Sequence, residues 1–380
     1  MTKKTIVSVT IAFVVAVAGG GARLVIARTG SGHLASPGYL FDDSHVHLTN
    51  YIQEGTGIAD MLSVMGDKVG RATLFGIPVQ QMWSYRIDRD SAPLYYLDSD
   101  APLYYYSFTD AYIAMAYRSL TKEQQARFDP MITGFNPADM YAADHVRRVL
   151  QTFPGVFEGI GEFSLHKEFV TSKVATDPPS LSDPALDRLF SLAEEAGLVV
   201  LVHCDVDTPF PRTGMEPAYY APLTKLFRRH PNATIVWAHL GLGRVVRPLG
   251  DQGRYVVSIL EDAKLGHVMF DLSWSETAKY IVATPASVQL VAEIITKYPD
   301  RFLFGTDEVA PDNENDYLRV YRQYQPLWER LPADVRAQVL HGNYERIFDD
   351  ARKRVRRWEQ LHPAVTNQRE PIVHRATGPD

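Results

Sequence analysis

Beyond residue 40 the chain alternates short apolar runs with longer stretches whose apolar residues recur every three to four positions. The first four short runs are "GYLFDDSHVH", "RATLFGIPVQ", "DPMITGFN" and "VFEGIGEF". Four more follow: "LVVLVHCD", "TIVWAHLG", "HVMFDLSW" and "RFLFGTDE". Brief runs rich in β-branched and aromatic residues, bounded by turn formers, predict strands. Helical patterns lie between them, among them "ADMYAADHVRRVLQTF", "PALDRLFSLAEEAG", "PLTKLFRRH", "YVVSILEDA" and "ASVQLVAEIITKY". In "PALDRLFSLAEEAG", Leu186, Leu189, Phe190 and Ala193 share one helical face, and Gly197 marks its end. Eight strands, each followed by a helix, predict an α/β fold of the (β/α)8 TIM-barrel type over residues 38–360. An open doubly wound sheet has the same local grammar, but no Gly-rich dinucleotide fingerprint follows any strand.

One region breaks the rhythm. A tyrosine-rich stretch, about residues 80–128, is inserted after the second strand and carries the near-duplicate units "APLYYLDSD" and "APLYYYSFTD". Two short copies do not make a solenoid. The stretch reads either as an outer hairpin or helical lid packed on the barrel, or as an aromatic wall over a pocket at the catalytic end. After the helical "RIFDDARKRVRRWEQ", residues 361–380 are polar and proline-bearing and predict a flexible tail.

Composition narrows the partners. Hydrophobic residues make up 46% of the 380 positions, enough for a large core, and the net charge of −6 is dispersed. Nucleic acid is therefore not an expected partner, since it needs clustered Lys and Arg. The single cysteine, Cys204, excludes an internal disulfide and a multi-cysteine zinc cluster. At the N-terminus, Lys3 and Lys4 precede "TIVSVTIAFVVAVA", and Ala16-Val17-Ala18 has the small-x-small form of a cleavage site. Residues 1–18 are accordingly expected to be a signal peptide for export to the periplasm or cell exterior. An uncleaved membrane anchor reaching about residue 27 is the alternative, although it would bury three glycines and Arg23.

The chemistry lies in where the polar residues fall. Glu162 closes "VFEGIGE", His203 closes "LVVLVH", His239 closes "TIVWAH" and Asp307 closes "FLFGTD". His45 and His47 sit at the end of the first run, on the same face of an extended strand. In a barrel all these strand ends converge on one mouth. Each residue alone has a plain structural role: a satisfied core histidine, an ion-pair partner, or a helix N-cap for Asp307. Six such residues in phase at the ends of five strands point instead to a divalent-metal site. At the same mouth, Arg244 and Arg247 follow the sixth strand, Asp271 and Trp274 the seventh, and His166 and Lys167 the fourth. Arg244, Trp274 and Lys167 are candidates for binding substrate, an Arg being suited to a carboxylate. Arg247 fits loop bracing better, Glu308 is expected to face away from the metal, and Asp43 to orient a ligand histidine.

The ordered set resembles the amidohydrolase superfamily, in its amidohydrolase-related branch of metal-dependent hydrolases. The family's H-x-H, acid, His, His and Asp match His45/His47, Glu162, His203, His239 and Asp307 in order, and "HGNYERIF" is similar to the segment that closes the family's barrel. The resemblance implies that these six residues hold one or two divalent ions, zinc first and manganese as the alternative. It also implies that Asp307 shuttles a proton. His239 is either a ligand of a second ion, with Glu162 bridging, or an unligated catalytic group. The implied activity is hydrolysis of an amide, ester or lactone bond in a small organic molecule by metal-activated water. Decarboxylation or hydration of an organic acid on the same scaffold is the alternative, and a non-catalytic metal- or ligand-binding barrel the third reading. Oligomeric state leaves no trace in the sequence.

Overall fold

The computed structural model describes residues 38–364, apart from 88–89, 177, 213 and 249–251. The expected export segment and the tail beyond residue 364 lie outside the described residues. Eight strands run parallel in chain order: β1 Phe41–Asp43, β2 Val69–Leu74, β3 Phe128–Ile132, β4 Gly159–His166, β5 Val199–Cys204, β6 Thr234–Trp237, β7 Val268–Asp271 and β8 Phe302–Leu303. The ring closes between the last strand and the first. Ser44 N–H donates to the Phe304 carbonyl at 3.0 Å, and Asp307 N–H to the His45 carbonyl at 2.6 Å. Beyond them Glu308–Val309 pairs in parallel with Val46–His47. This is the TIM-barrel fold, and each apolar run in the sequence supplies one strand of the barrel.

Alternation along the strands decides what faces the lumen. On β5, Val200, Val202 and Cys204 pack outward against the helices, while Val199 and Leu201 belong to the inner cluster with Met131, Val236, Met269 and Leu303. His203 continues the inward series two residues on. On β6 the outward Trp237 is buried, and its indole N–H reaches the Cys204 carbonyl at 2.8 Å, so a large ring is covered without stranding its donor. The outer helices follow the predicted periodicity. Helix Pro184–Ala196 begins at Asp183, whose side chain accepts from Ala185 N–H, and stops at Gly197, whose φ of 80° suits glycine. Among the described residues no single helix is long and apolar enough to cross a membrane.

The final helix, Asn343–Leu361, plugs the N-terminal end of the barrel with Tyr344, Ile347, Phe348 and Ala351. A buried ion network braces that end. Asp129 on β3, wholly buried, accepts from Arg71 at 2.8 and 3.0 Å, from Arg352 at 2.6 Å and from the Tyr344 hydroxyl at 2.8 Å.

Between β2 and β3 the chain forms an antiparallel hairpin, Val79–Gln81 with Leu103–Tyr105, and then helix Phe108–Arg118. Its tyrosines divide in two. Tyr96 is buried against Tyr51, Ile77, Val79 and Leu103. Tyr95 instead borders the barrel mouth, where its hydroxyl accepts from Arg244 at 3.3 Å. Tyr85, nearby in sequence, stands exposed.

Candidate metal centre

The C-terminal strand ends carry a buried knot of imidazoles and carboxylates. Its base is the seam between β1 and β8. Asp43 accepts from His45 N–H and from Thr306 N–H, both at 2.9 Å, and from the Thr306 hydroxyl at 2.7 Å, which locks the two strand ends together. Burial pushes the Asp43 carboxyl up to about 6 against these hydrogen bonds. Asp43, expected to orient a ligand histidine, holds His45 by its backbone, and the imidazole ring is oriented by Asp271. His45 Nδ1 lies 2.7 Å from Asp271 Oδ2.

Ser273 extends this support. Its hydroxyl donates to Asp271 Oδ2 at 2.7 Å and so presents a lone pair to His239 Nδ1 at 2.9 Å. With both Nδ1 atoms acting as donors, the Nε2 lone pairs of His45 and His239 point into the knot. Both Nε2 atoms are buried with no hydrogen-bond partner. An unsatisfied buried acceptor is costly; two of them aimed at one space with carboxylates around it suit a cation.

Around that space His45 Nε2 and His47 Nε2 each lie 3.2 Å from Asp307 Oδ1. They lie 3.7 and 3.4 Å from Glu162 Oε2. The other oxygen of Glu162 faces elsewhere: Oε1 is 2.7 Å from His203 Nδ1, 3.4 Å from Lys167 Nζ and 3.7 Å from His239 Nε2. All six ligand candidates named from the sequence are thus gathered, and Glu162 stands between the two halves. His45, His47, Glu162 and Asp307 satisfy the distance requirement for sharing one ion, and so do Glu162, His203 and His239.

The electrostatics are those of anions among cations. Burial alone would raise Glu162, but Lys167 and the surrounding imidazoles hold it well below the usual carboxylate range. Asp307 is likewise lowered, burial being outweighed by His45, His47 and His239. His45 sits well above its ordinary value because Asp307, Asp271 and Glu162 overcome burial. His203 falls to about 4 through burial and the Lys167 charge. The backbone is also unusual at this rim. His239, Trp274 and Asp307 have φ of 58°, 79° and 53°, a left-handed conformation that costs a non-glycine residue of order 1–3 kcal/mol.

At the mouth two cations approach Trp274, with Lys167 Nζ 5.7 Å and Arg244 Cζ 5.6 Å from its ring centre, while its ring is 5.0 Å from that of His239. Arg244 is already paired with Glu276 at 2.7 Å. Arg247 is exposed, and Glu308 turns away to pair with Arg319 at 2.8 Å. His166 stacks on Tyr219 with ring centres 3.7 Å apart, away from the ligand set. A cavity of about 20 Å³, lined by Tyr51, Ile77, Tyr105, Glu162 and Lys167 among others, leads from the knot under the hairpin and has room for a water.

Sequence reasoning passed over Ser273, Asp205 and Glu168. Asp205 lies 3.1 Å from His203 Nε2 and accepts from Glu168 N–H at 2.8 Å. The available signal was spacing: Asp205 and Ser273 each follow an inward strand-end residue by two positions, so alternation returns them to the same side. Carboxylates behind ligand imidazoles fix ring orientation, and their loss typically weakens metal binding 10–100-fold. Asp271→Asn is therefore expected to weaken zinc affinity by about 10–100-fold with the fold intact, measured by competition with a chromophoric chelator. Unchanged affinity would remove Asp271 from that role.

A closed parallel barrel with four histidines and Glu162 buried at its C-terminal rim, beside the half-buried Asp307, defines a scaffold of the metal-dependent hydrolase and lyase class. Residues 43–349 match the family model described as Amidohydrolase, and the chain belongs to that family. The chain is also similar to solved structures, one of which superposes closely enough to support the fold. A proposed 2-pyrone-4,6-dicarboxylic acid hydrolase from Pseudomonas putida superposes with a TM-score of 0.51 at 15% identity, covering 82% of this chain and 98% of that one. An amidohydrolase from Burkholderia multivorans, solved with bound zinc, gives 0.48 at 16% identity, covering 82% of this chain and 99% of that one. No curated protein sequence matches the chain.

Proposed function

We propose that the protein is a metal-dependent hydrolase that adds water to an amide, ester or lactone carbonyl of a small organic substrate. The observation that carries this reading is the placement of Asp307. One of its oxygens lies 3.2 Å from the Nε2 atoms of both His45 and His47, and the other 3.8 Å from His239 Nε2. His45, His47, Asp307 and Glu162 would hold a divalent ion of the zinc type. When bound, such an ion polarises a carbonyl and lowers the pKa of water to about 7.

The chain's own groups supply the remaining steps. Asp307, kept anionic by its imidazole neighbours, accepts a proton from the attacking water and returns it to the leaving atom. His239, pinned at Nδ1 by Ser273, turns Nε2 toward the same space and stabilises the charge that grows on the carbonyl oxygen. Trp274 forms a flat wall, and Lys167 and Arg244 near its ring favour a substrate that carries an anionic group. Burial of the knot excludes bulk water from the proton transfer.

Chelation tests the reading. Prolonged dialysis against a strong chelator is expected to lower turnover of p-nitrophenyl esters and simple lactones by at least about 10²-fold, with zinc or manganese restoring it. Full activity after verified metal removal would defeat the proposal. Release of CO₂ from carboxylic acid substrates without hydrolysis of any ester, amide or lactone would move the assignment to the lyase reading.

A further inference from the structure

The two halves of the knot are spaced differently. Donor atoms that share a tetrahedral zinc ion, with bonds of about 2.0–2.2 Å, stand about 3.3–3.6 Å apart. Around His45, His47, Asp307 and Glu162 Oε2 the four measured separations are 3.2, 3.2, 3.4 and 3.7 Å, close to the edges of such a tetrahedron. This half is a cage already opened to the size of an ion. In the other half His203 Nδ1 approaches Glu162 Oε1 to 2.7 Å, which is a hydrogen-bond length, and its Nε2 is engaged by Asp205 at 3.1 Å. Both nitrogens of His203 therefore already have carboxylate partners.

A cation also stands at this second half. Lys167 Nζ lies 3.4 Å from the same Glu162 oxygen, its side chain 9% exposed, and its backbone N–H donates to Thr171 Oγ1 at 2.9 Å. A divalent ion bridged by Oε1 would sit against this ammonium with little water between them to screen the repulsion.

We propose that the centre holds one ion, in the His45–His47–Glu162–Asp307 cage, and that the Lys167 ammonium takes the place of a second ion on the far oxygen of Glu162. This rests on the metal-dependent reading above and deepens it. Lys167 is then a positioning residue: it fixes Glu162 so that one oxygen faces the cage, and it sets the metal count. His203 serves as a hydrogen-bond donor to Glu162, outside the ligand set.

The test is zinc stoichiometry, by mass spectrometry after equilibrium dialysis at micromolar free zinc, with circular dichroism to confirm folding. Wild type is expected to bind one ion, Lys167→Arg one and Lys167→Met two, with cobalt-substituted Lys167→Met showing a spin-coupled signal that wild type lacks. His203→Ala is expected to keep its ion, while His47→Ala loses it. Two ions in wild type, one in folded Lys167→Met, or loss of the ion in His203→Ala would each overturn the proposal. Should Lys167→Met fail to fold, Lys167→Gln carries the same expectation, and the wild-type and His203→Ala counts stand on their own. No ion in wild type would bring down the metal-dependent reading as well, a result distinct from two.

Discussion

Asp307→Asn is expected to lower kcat by about 10²–10⁴-fold, the usual worth of a positioned proton-transfer group. The substitution keeps size and hydrogen-bonding shape but removes the charge that faces three imidazoles, at 3.2, 3.2 and 3.8 Å. Stability should change little, because the backbone at this position is held by Asp307 N–H on the His45 carbonyl, a bond the side chain does not make. Zinc content separates the two functions of the carboxylate. If the Asp307→Asn variant retains its ion and still loses turnover, proton transfer is the main role; if the ion is lost too, ligation contributes. A turnover within about threefold of wild type would remove Asp307 from the mechanism.

The largest effect on stability is expected at the opposite end of the barrel. Asp129→Ala should lower the unfolding free energy by about 3 kcal/mol, the lower end for breaking a buried ion pair by removing one partner. The carboxylate is wholly buried and joins β2, β3 and the final helix through Arg71, Arg352 and Tyr344. Its removal strands two guanidinium groups, although Arg71 keeps Asp349 at 2.7 Å and Arg352 keeps Glu158 at 3.4 Å. Those residual partners set the lower end of the range. Urea denaturation of the two proteins gives the difference directly, and a loss below about 1 kcal/mol would mean that the network contributes far less than its burial implies.

The barrel was legible because its strands are buried on both faces, and such strands read as apolar runs that end abruptly. The site was legible for a related reason: where an apolar run stops at His203, His239 or Asp307, the strand has reached the rim, although β4 runs on past Glu162 to His166. What remained hidden depends on angles between strands. Asp271 stands at a strand end like the others, yet its carboxylate turns onto His45, 226 residues away. Asp43 lies two residues from His45 and holds its backbone N–H, but its other bonds go to Thr306 across the seam. The Asp129 network joins positions 71, 129, 344 and 352, and no local spacing reveals which arginine meets which acid. The stretch between β2 and β3 was legible as a hairpin or helical lid, but the pairing of Val79–Gln81 with Leu103–Tyr105 was not, because more than twenty residues separate the two arms.

The seam between β1 and β8 has a consequence during synthesis. The histidines at 45 and 47 emerge early from the ribosome, but the aspartate that completes their cage arrives only with the last strand. Because the backbone bonds that place it run from Asp307 to His45 and from Ala310 to His47, a nascent or proteolytically shortened chain lacking that strand has no finished pocket. The proposed chemistry therefore requires that the last strand be docked on the first, since only then do His45, His47 and Asp307 share one space.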